Sequence, residues 1–435
     1  MPARIRLLFG LTLLFALLLP SPAMSTSVQT WEVGTTDDVF DGDTFTVLNE
    51  PTRFRLIGLN AFEMFKGGYG SHTGECFAYE GWKVLDSITT GRTVKLKSVD
   101  RASTGLGDRP HRYAHVRKDG VRVDAGYTVL RKGLALWFPN QHEHLRNVRY
   151  QKAAKAARSE GIGMYDPNFA GKACNPTSPA VNPDLDMWVQ WDADGVDSRF
   201  PNEEWVKIKN SGLADVSVGG WVLRESSLKT AGGPAKYTFP SDAFIPAGGS
   251  ITVHVGIGTN QQGVTYYWGN DTAKFANADY TLGLGDGGYL FDPDGNMHAS
   301  FIYPCMPKSL CTHDLRGKLD VQARYDPLGD ENNDPNKEYI DITNRSGETI
   351  LLEQTMLESS PYNYEFEATD ALLPNKTLRL YVGIGLDYDR NGHLYRYWGH
   401  GSAILGNKGD WARVKSFEDI QIACDQWAGA TCGQY

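Results

Sequence analysis

The chain has 435 residues, of which 41% are hydrophobic and 22% are charged. These proportions exclude a disordered or membrane-embedded protein, and the length predicts two to four domains. The formal net charge of −9 is unevenly divided. Because the N-terminal third is basic and the remainder acidic, we expect any polyanionic partner to bind the first domain.

The N-terminus, residues 1–24, has the pattern of a signal peptide. A positively charged start precedes an apolar run from Leu7 to Leu19, and small residues follow it. This run is short for a membrane span, and no later stretch is long and apolar enough to cross a bilayer. We therefore expect a secreted mature chain without a transmembrane segment, the periplasm and the cell surface being alternative destinations.

Six cysteines fit an oxidising compartment. Two pairs are close in sequence, Cys305 with Cys311 and Cys424 with Cys432, and they leave Cys76 and Cys174. Six cysteines allow 15 pairings, so this partition rests on proximity alone. No two of these cysteines have CxxC spacing, which argues against a zinc site built from them.

Hydrophobic alternation and turn residues predict a small β-rich domain over residues 31–174. Predicted strands lie within residues 31–47, 52–59, 92–99, 113–117 and 121–123, and predicted helices at residues 75–89, 125–132 and 142–158. About five strands with two or three helices indicate a five-stranded barrel of the OB type. The basic face of the last helix is interpreted as solvated.

The stretch from Val39 to Glu63, VFDGDTFTVLNEPTRFRLIGLNAFE, contains the densest set of reactive side chains. Two carboxylates lie in its DGDT turn, and arginines follow on the next predicted strand. Carboxylate oxygens and guanidinium groups on one rim suit a hard cation and a phosphate together. An ordinary Asp-Gly hairpin turn and surface arginines in salt bridges are the alternative interpretation.

Several separated motifs resemble the staphylococcal nuclease family. They are VFDGDTF, RFRLIGLNAFE, GECFAYEGWKVL, HRYAHVRKDG, YTVLRKGLALW and HEHLRNVRYQKAAKAARSEGIGMY, in the family's order over residues 31–167. The resemblance implies an OB-type barrel and a Ca²⁺-dependent nuclease that hydrolyses phosphodiester bonds of DNA and RNA.

The resemblance also implies roles for individual residues. Glu63 matches the general base, and Arg55 and Arg112 match the two phosphate-binding arginines. Planar guanidinium groups bind phosphate oxygens in a bidentate manner. The segment before the strand at Tyr113 is one residue shorter than the family's common form, so Arg109 is an alternative to Arg112.

By the same resemblance, calcium is held by the Asp43 carboxylate, the residue-60 side chain and the Ala61 carbonyl. The family has an aspartate where this chain has Asn60. An amide oxygen still binds calcium but carries no charge, which predicts a weakened site that fills only where calcium is plentiful.

The remainder of the chain contains an internal repeat after a Pro-punctuated linker at residues 175–186. EWVKIKN at residues 204–210 recurs as EYIDITN at residues 338–344, and VGIG and YWG recur at similar offsets. Short strands between Gly, Pro and Asp turns predict two immunoglobulin-like β-sandwiches, at residues 187–312 and 318–435.

The first sandwich resembles the lamin-tail domain through EWVKIKNSG, GGWVL, YTFP, IPAGGSITV and LFDPDGN. The second is interpreted as a diverged copy, since Thr355 stands where the first has Trp221, with another β-sandwich as the alternative. Lamin-tail domains typically act as binding modules, so the resemblance implies attachment to a ligand that the sequence does not identify.

The fold class predicted is therefore multidomain and mainly β. The function predicted is a secreted calcium-dependent nuclease tethered by two lamin-tail-like domains. The alternatives are a catalytically degenerate extracellular nucleic-acid-binding protein and an adhesion protein.

Overall fold

The computed structural model describes residues 27–64, 74–105, 108–168, 184–194, 196–228, 233–329 and 331–432. The predicted signal peptide, Cys174 and most of the predicted linker lie outside these residues. The protein is mainly β, with 40% of residues in strands and 13% in helices, which confirms the mainly β part of the predicted fold class.

The described residues of the N-terminal region form eight strands and three helices. They are β1 Gln29–Val39, β2 Thr44–Val47, β3 Glu50–Leu56, β4 Leu59–Ala61, α1 Ala78–Thr89, β5 Thr93–Ser98, β6 His111–Lys118, β7 Val121–Asp124, α2 Ala125–Arg131, β8 Ala135–Trp137 and α3 Asn147–Ser159. The last helix begins five residues later than predicted, because a 3₁₀ turn at His144–Arg146 precedes it.

The main sheet has the strand order β3-β2-β1-β5-β6-β7, and β3 also pairs in parallel with β6. Strands β1, β2, β3, β6 and β5 are therefore joined in a ring of pairings. Helix α1, which lies between β4 and β5 along the chain, buries Ala78, Gly81, Leu85 and Ile88 on one face, as its helical period requires.

The first repeat forms ten strands. They are β9 Leu185–Gln190, β10 Trp205–Asn210, β11 Val216–Ser217, β12 Val222–Glu225, β13 Lys236–Thr238, β14 Phe244–Ile245, β15 Ser250–His254, β16 Thr265–Tyr267, β17 Asp286–Phe291 and β18 Met297–Tyr303. The sheets β16-β15-β10-β9 and β13-β12-β17-β18 enclose one hydrophobic core.

The second repeat forms eleven strands. They are β19 Leu319–Arg324, β20 Tyr339–Asn344, β21 Ile350–Leu351, β22 Thr355–Ser359, β23 Tyr362–Glu365, β24 Ala371–Leu372, β25 Thr377–Tyr381, β26 Tyr388–Arg390, β27 His393–Tyr397, β28 Asp410–Ser416 and β29 Gln421–Trp427. Its sheets, β19-β20-β25-β27-β26 and β23-β22-β28-β29, repeat the first copy's order with β26 added. The parallel pair β25–β27 corresponds to β15–β16.

The N-terminal region and the first sandwich share a hydrophobic core. Tyr289, Phe291, Met297 and Ile302 of β17 and β18 belong to the same buried cluster as the core of the N-terminal region. Helix α3 lies along this boundary, where Gln151 Nε2 donates to the Pro304 carbonyl at 2.8 Å. The first sandwich is therefore packed on the N-terminal region and is not merely joined to it by a linker.

Two basic side chains of α3 contact other domains, while Arg149 and Lys152 on the same helix are exposed, as the solvated interpretation expected. The Arg158 guanidinium donates to Ser300 Oγ of the first sandwich, 3.1 Å away. The Lys155 ammonium pairs with Glu418 of the second sandwich at 2.8 Å. The basic face of α3 is therefore shared between solvent and domain contacts.

The two sandwiches contact each other through aromatic and charged residues. Trp188 and Trp205 of the first pack with Met356 and Phe417 of the second in one buried cluster. Acidic side chains of the second copy pair with lysines of the first, Glu365 with Lys207 and Glu353 with Lys209.

Two of the predicted cysteine pairs are confirmed. Disulfides join Cys305 to Cys311 and Cys424 to Cys432. Cys76 is also disulfide-bonded, and its predicted partner Cys174 is outside the described residues. None of the helices in the described ranges is long and apolar enough to span a membrane.

Candidate functional site

The DGDT turn between β1 and β2 is held by its own side chains. Asp41 Oδ1 accepts a hydrogen bond from the Asp43 backbone N–H at 2.8 Å, and Asp43 Oδ1 accepts one from Thr44 Oγ1 at 2.7 Å. The turn packs against α1 where Gly42 meets Gly81: a Cβ on Gly42 would lie 3.3 Å from the Gly81 backbone. Glycine at both positions lets the turn and the helix approach closely.

The Arg55 guanidinium joins two of the predicted metal ligands. Its Nη2 donates to Asp43 Oδ2 at 2.9 Å and to Asn60 Oδ1 at 2.7 Å. The Ala61 backbone N–H donates to the same Asp43 oxygen at 2.9 Å. A carboxylate that is only 1% exposed is thus fully hydrogen-bonded, as a buried charge must be. We call Asp41, Asp43, Arg55, Asn60 and Glu63 the Asp43 cluster.

Glu63 lies at the exposed edge of this cluster. The protein packed around its carboxyl group raises its pKa, and the negative charge of Asp43 raises it further, while Arg55 and Arg109 act in the opposite direction. The Glu63 backbone N–H donates to Glu75 Oε2 at 2.9 Å, which ties the segment to the start of α1. A carboxylate with a raised pKa is a stronger base than an ordinary glutamate.

Burial also raises the pKa of Asp41 well above its usual value, and the neighbouring Asp43 carboxylate adds to the effect. Asp41 is 6% exposed. The Asp43 charge therefore raises the pKa of two neighbouring carboxyl groups, those of Asp41 and Glu63.

Arg112 lies elsewhere than the resemblance implied. It is 3% exposed and forms a bidentate ion pair with Glu32 on β1, with N–O distances of 2.8 and 3.0 Å. Its remaining contacts are to the backbone carbonyls of Arg101, Ser103 and His111. Because its donors are occupied in this way, Arg112 has a structural role. Arg109, the alternative to it, becomes the candidate for the second phosphate-binding arginine.

His111 is a further neighbour of the Asp43 cluster. It pairs directly with Arg55 in the β3–β6 ladder. Burial lowers its pKa to about 4, and the positive charges of Arg55 and Arg109 lower it further. His111 is therefore neutral at physiological pH. The effect of both arginine charges on its pKa indicates that Arg55 and Arg109 lie close to the β3–β6 pair.

The first sandwich contacts the Asp43 cluster directly. Asn60 Nδ2 donates to the Ser226 carbonyl at 2.7 Å, just after the end of β12. The same carbonyl accepts a longer hydrogen bond, 3.4 Å, from Arg224 Nη2. Ser226 is 166 residues from Asn60 in sequence, and no local spacing could have indicated the contact.

The described residues contain no group of three or more His, Cys, Asp and Glu side chains that could hold a metal ion. The predicted calcium ligands include only one carboxylate, Asp43, beside the Asn60 amide and the Ala61 carbonyl. Asp43 Oδ2 and Asn60 Oδ1 nevertheless converge on a single cationic atom, Arg55 Nη2. This donor set fits a cation, although an ion bound there would compete with Arg55 for both oxygens.

Comparison with known families identifies the first sandwich. Residues 189–304 match the Lamin Tail Domain model. The matched lamin-tail segment contains β10 to β18, including Arg224 and Ser226 beside the Asp43 cluster. A search of curated proteins finds no matching relative.

Proposed function

We propose that the protein is a calcium-dependent nuclease that hydrolyses DNA and RNA phosphodiester bonds. The observation that carries this proposal is the Asp43 cluster, in which a candidate base, an arginine and convergent oxygens meet at one edge of the strand ring. The ring order β1-β2-β3-β6-β5, with a helix between β3 and β5, supports an OB-type barrel related to staphylococcal nuclease.

In this proposal Glu63 removes a proton from the attacking water. Its exposure gives water access, and its raised pKa makes it a better base. Arg55 and Arg109 stabilise the negative charge that develops on the phosphate oxygens in the transition state. Arg109 is preferred to Arg112 because its charge acts on Glu63, whereas Arg112 is paired with Glu32.

Asp43, Asn60 and Ala61 would hold the calcium ion. When bound, calcium neutralises phosphate charge and polarises the ester. Its affinity should be weak, because Asn60 contributes no charge and Arg55 already occupies the two side-chain oxygens. Calcium-binding extracellular modules have dissociation constants of about 10⁻⁴–10⁻³ M. A site of that affinity fills at millimolar calcium.

The disulfides and the lack of a spanning helix in the described ranges are consistent with secretion. The second sandwich, which shares the strand order of the lamin-tail segment, is proposed to be a diverged lamin-tail domain. An unidentified ligand of these two domains would anchor the nuclease.

The alternative is a catalytically degenerate protein that binds nucleic acid or an adhesion partner. Asn60 favours it, since its amide group is engaged with Ser226 instead of contributing a charged metal ligand. A binder has no need of a base, so the two hypotheses differ in the role of Glu63.

Cleavage of a fluorescently labelled oligonucleotide with millimolar calcium, and with chelator as control, separates them. We expect calcium-dependent cleavage that Glu63→Gln lowers by about 10²- to 10⁴-fold, the usual contribution of a general base. Glu348→Gln is a matched control, because Glu348 is 80% exposed on the second sandwich. Intact substrate with the wild-type protein, or full activity in Glu63→Gln, would contradict the proposal.

A further inference from the structure

A cavity of about 550 Å³ lies between the barrel and the lamin-tail segment, next to the Asp43 cluster. Phe62 and Glu75 line it from the N-terminal region, and Arg224 and Lys236 line it from β12 and β13. Phe62 follows Ala61 directly, and Glu75 Oε2 accepts the Glu63 backbone N–H. Two residues that line the cavity are therefore linked directly to residues of the proposed catalytic site, one by a peptide bond and one by a hydrogen bond.

Arg224 is a buried cation that lines this cavity. It is 6% exposed, and its hydrogen bonds go to two backbone carbonyls, those of Glu225 at 3.2 Å and Ser226 at 3.4 Å. Among the described residues no carboxylate forms an ion pair with it. A guanidinium group has five N–H donors, so most of its donors remain for a ligand.

Carboxylates around the cavity act on Arg224 without forming an ion pair with it in the described residues: Glu75 and Glu225 raise the pKa of its guanidinium. Asp292 is already bonded to Asn296 and lies 3.2 Å from His298 Nε2. Glu75 accepts the backbone N–H of Glu63. Asp294 is exposed on its turn, and Lys236 adds a second positive charge at the rim.

Burial lowers the pKa of Arg224, and the negative charges of Glu75 and Glu225 act in the opposite direction. An isolated buried charge is costly, and a protein retains one where a partner of opposite charge compensates it. Phosphate is the anion that a guanidinium fork matches best.

We propose that this interdomain cavity is a second phosphate site, in which Arg224 binds a phosphodiester of the nucleic-acid strand beside the one engaged by the Asp43 cluster. The inference rests on the proposed function. Asn60 is a positioning residue here: its Oδ1 accepts from Arg55, and its Nδ2 holds the Ser226 carbonyl that Arg224 also contacts. The lamin-tail segment then forms part of the substrate site and is more than an anchor.

The test is binding of fluorescently labelled single-stranded oligonucleotides, followed by anisotropy, with calcium present and in a Glu63→Gln background that prevents cleavage. A hexanucleotide spans both sites, whereas a dinucleotide has a single phosphodiester. We expect Arg224→Gln to weaken hexanucleotide binding about 10- to 100-fold, as loss of a charge-assisted hydrogen bond predicts, and dinucleotide binding by less than about 3-fold.

Two further variants keep the result interpretable if Arg224→Gln folds poorly. Arg224→Lys retains the charge and should lose less hexanucleotide affinity, and Lys236→Gln changes an exposed rim residue and should lose about 2- to 5-fold. Arg345→Gln is the control, because Arg345 is a half-exposed arginine that pairs with Asp320 on the second sandwich. It should bind both oligonucleotides as the parent does.

Three outcomes would overturn the second site. Arg224→Gln could weaken binding of both oligonucleotides equally, it could weaken binding of neither, or the parent could fail to bind the hexanucleotide. The outcome is separable from the fate of the nuclease proposal. Calcium-dependent cleavage with binding indifferent to Arg224 rejects the second site alone. Binding that depends on Arg224 without any cleavage by wild-type protein rejects the nuclease and leaves the site standing.

Discussion

The two sandwiches share a strand order but carry opposite charges at the same position. Arg224 on β12 corresponds to Glu358 on β22. Strand β12 pairs with β17 in the same register as β22 pairs with β28. Arg224 faces a cavity and bonds only to backbone carbonyls. Glu358 lies in an ion-pair network with Arg413, 2.7 Å away, and Lys415.

This contrast shows how one scaffold can acquire two roles. In the second copy Glu358 is paired with Arg413 and Lys415 of the same sandwich, so the position contributes to stability. In the first copy the neighbouring surface is the N-terminal region, and none of the described carboxylates forms an ion pair with the arginine. The difference lies in the partners of the side chain, while the backbone around it is repeated.

The largest effect that sharpens the contrast is expected from Glu358→Gln. This change leaves Lys415, whose side chain is 3% exposed, without its closest partner. Breaking a buried ion pair by removing one member costs about 3–5 kcal/mol, so the urea midpoint should fall clearly. Glu348→Gln, at an exposed pair with Lys318, should cost less than about 1 kcal/mol.

Glu358→Gln should leave oligonucleotide affinity unchanged per folded molecule, in contrast to Arg224→Gln. If the two variants lost the same affinity, position 224 would have no special role, and the contrast between the sandwiches would disappear.

A smaller effect is expected from Asn60→Asp, which restores the charge that the resemblance to staphylococcal nuclease implied. The added carboxylate should tighten calcium binding roughly tenfold, since affinity follows ligand charge. The same change removes the donor to the Ser226 carbonyl, and two facing acceptors should destabilise the domain contact by about 1–3 kcal/mol.

Titration calorimetry with calcium and thermal unfolding in chelator measure these two effects separately. Asn60→Ala is the control that removes both hydrogen bonds without adding charge. Unfolding of Asn60→Asp at the wild-type temperature in chelator would show that the Ser226 contact does not stabilise the boundary, and would weaken the link between Asn60 and Arg224.

Local pattern predicted the elements of the protein well. EWVKIKN and EYIDITN alternate apolar and polar residues, and both form central strands, β10 and β20, whose apolar residues are buried. Helix α1 was predicted to within three residues, because its apolar spacing follows the helical period. Each of these features depends on burial within one element, which periodicity reports.

The partners of the side chains were not predictable in the same way. Arg112 stands at the start of an alternating strand, and nothing in that pattern distinguishes a phosphate ligand from the partner of Glu32, which is 80 residues away. The Ser226 carbonyl reaches Asn60 through backbone, so no residue type marks it. The departure at Asn60 was visible in the sequence. The hydrogen bond that its amide donates to the Ser226 carbonyl of the lamin-tail segment could be seen only in the fold.

The smallest effect concerns a buried glutamate at the start of each repeat, Glu204 in the first sandwich and Glu338 in the second. Glu338 is fully buried, and its Oε2 accepts the backbone N–H groups of Ile404 and Leu405 at 2.9 and 3.2 Å. Burial raises its pKa to about 7, above the 4.5 of an ordinary glutamate. Below pH 4.5 the residue is protonated in both states and contributes no pH dependence. Between pH 4.5 and 7 the unfolded chain loses the proton first, so stability falls as pH rises.

Glu338→Gln should therefore match the wild type near pH 4.5 and be more stable by about 1–3 kcal/mol above pH 8, as urea unfolding at several pH values would measure. The first copy provides the comparison. Glu204 accepts from the backbone N–H of Lys274, a buried lysine at the position of Ile404. Glu204 therefore has the same hydrogen-bonding position in the first copy as Glu338 has in the second. A Glu338→Gln variant that is no more stable than the wild type above pH 8 would contradict the destabilising effect of the buried Glu338 carboxylate.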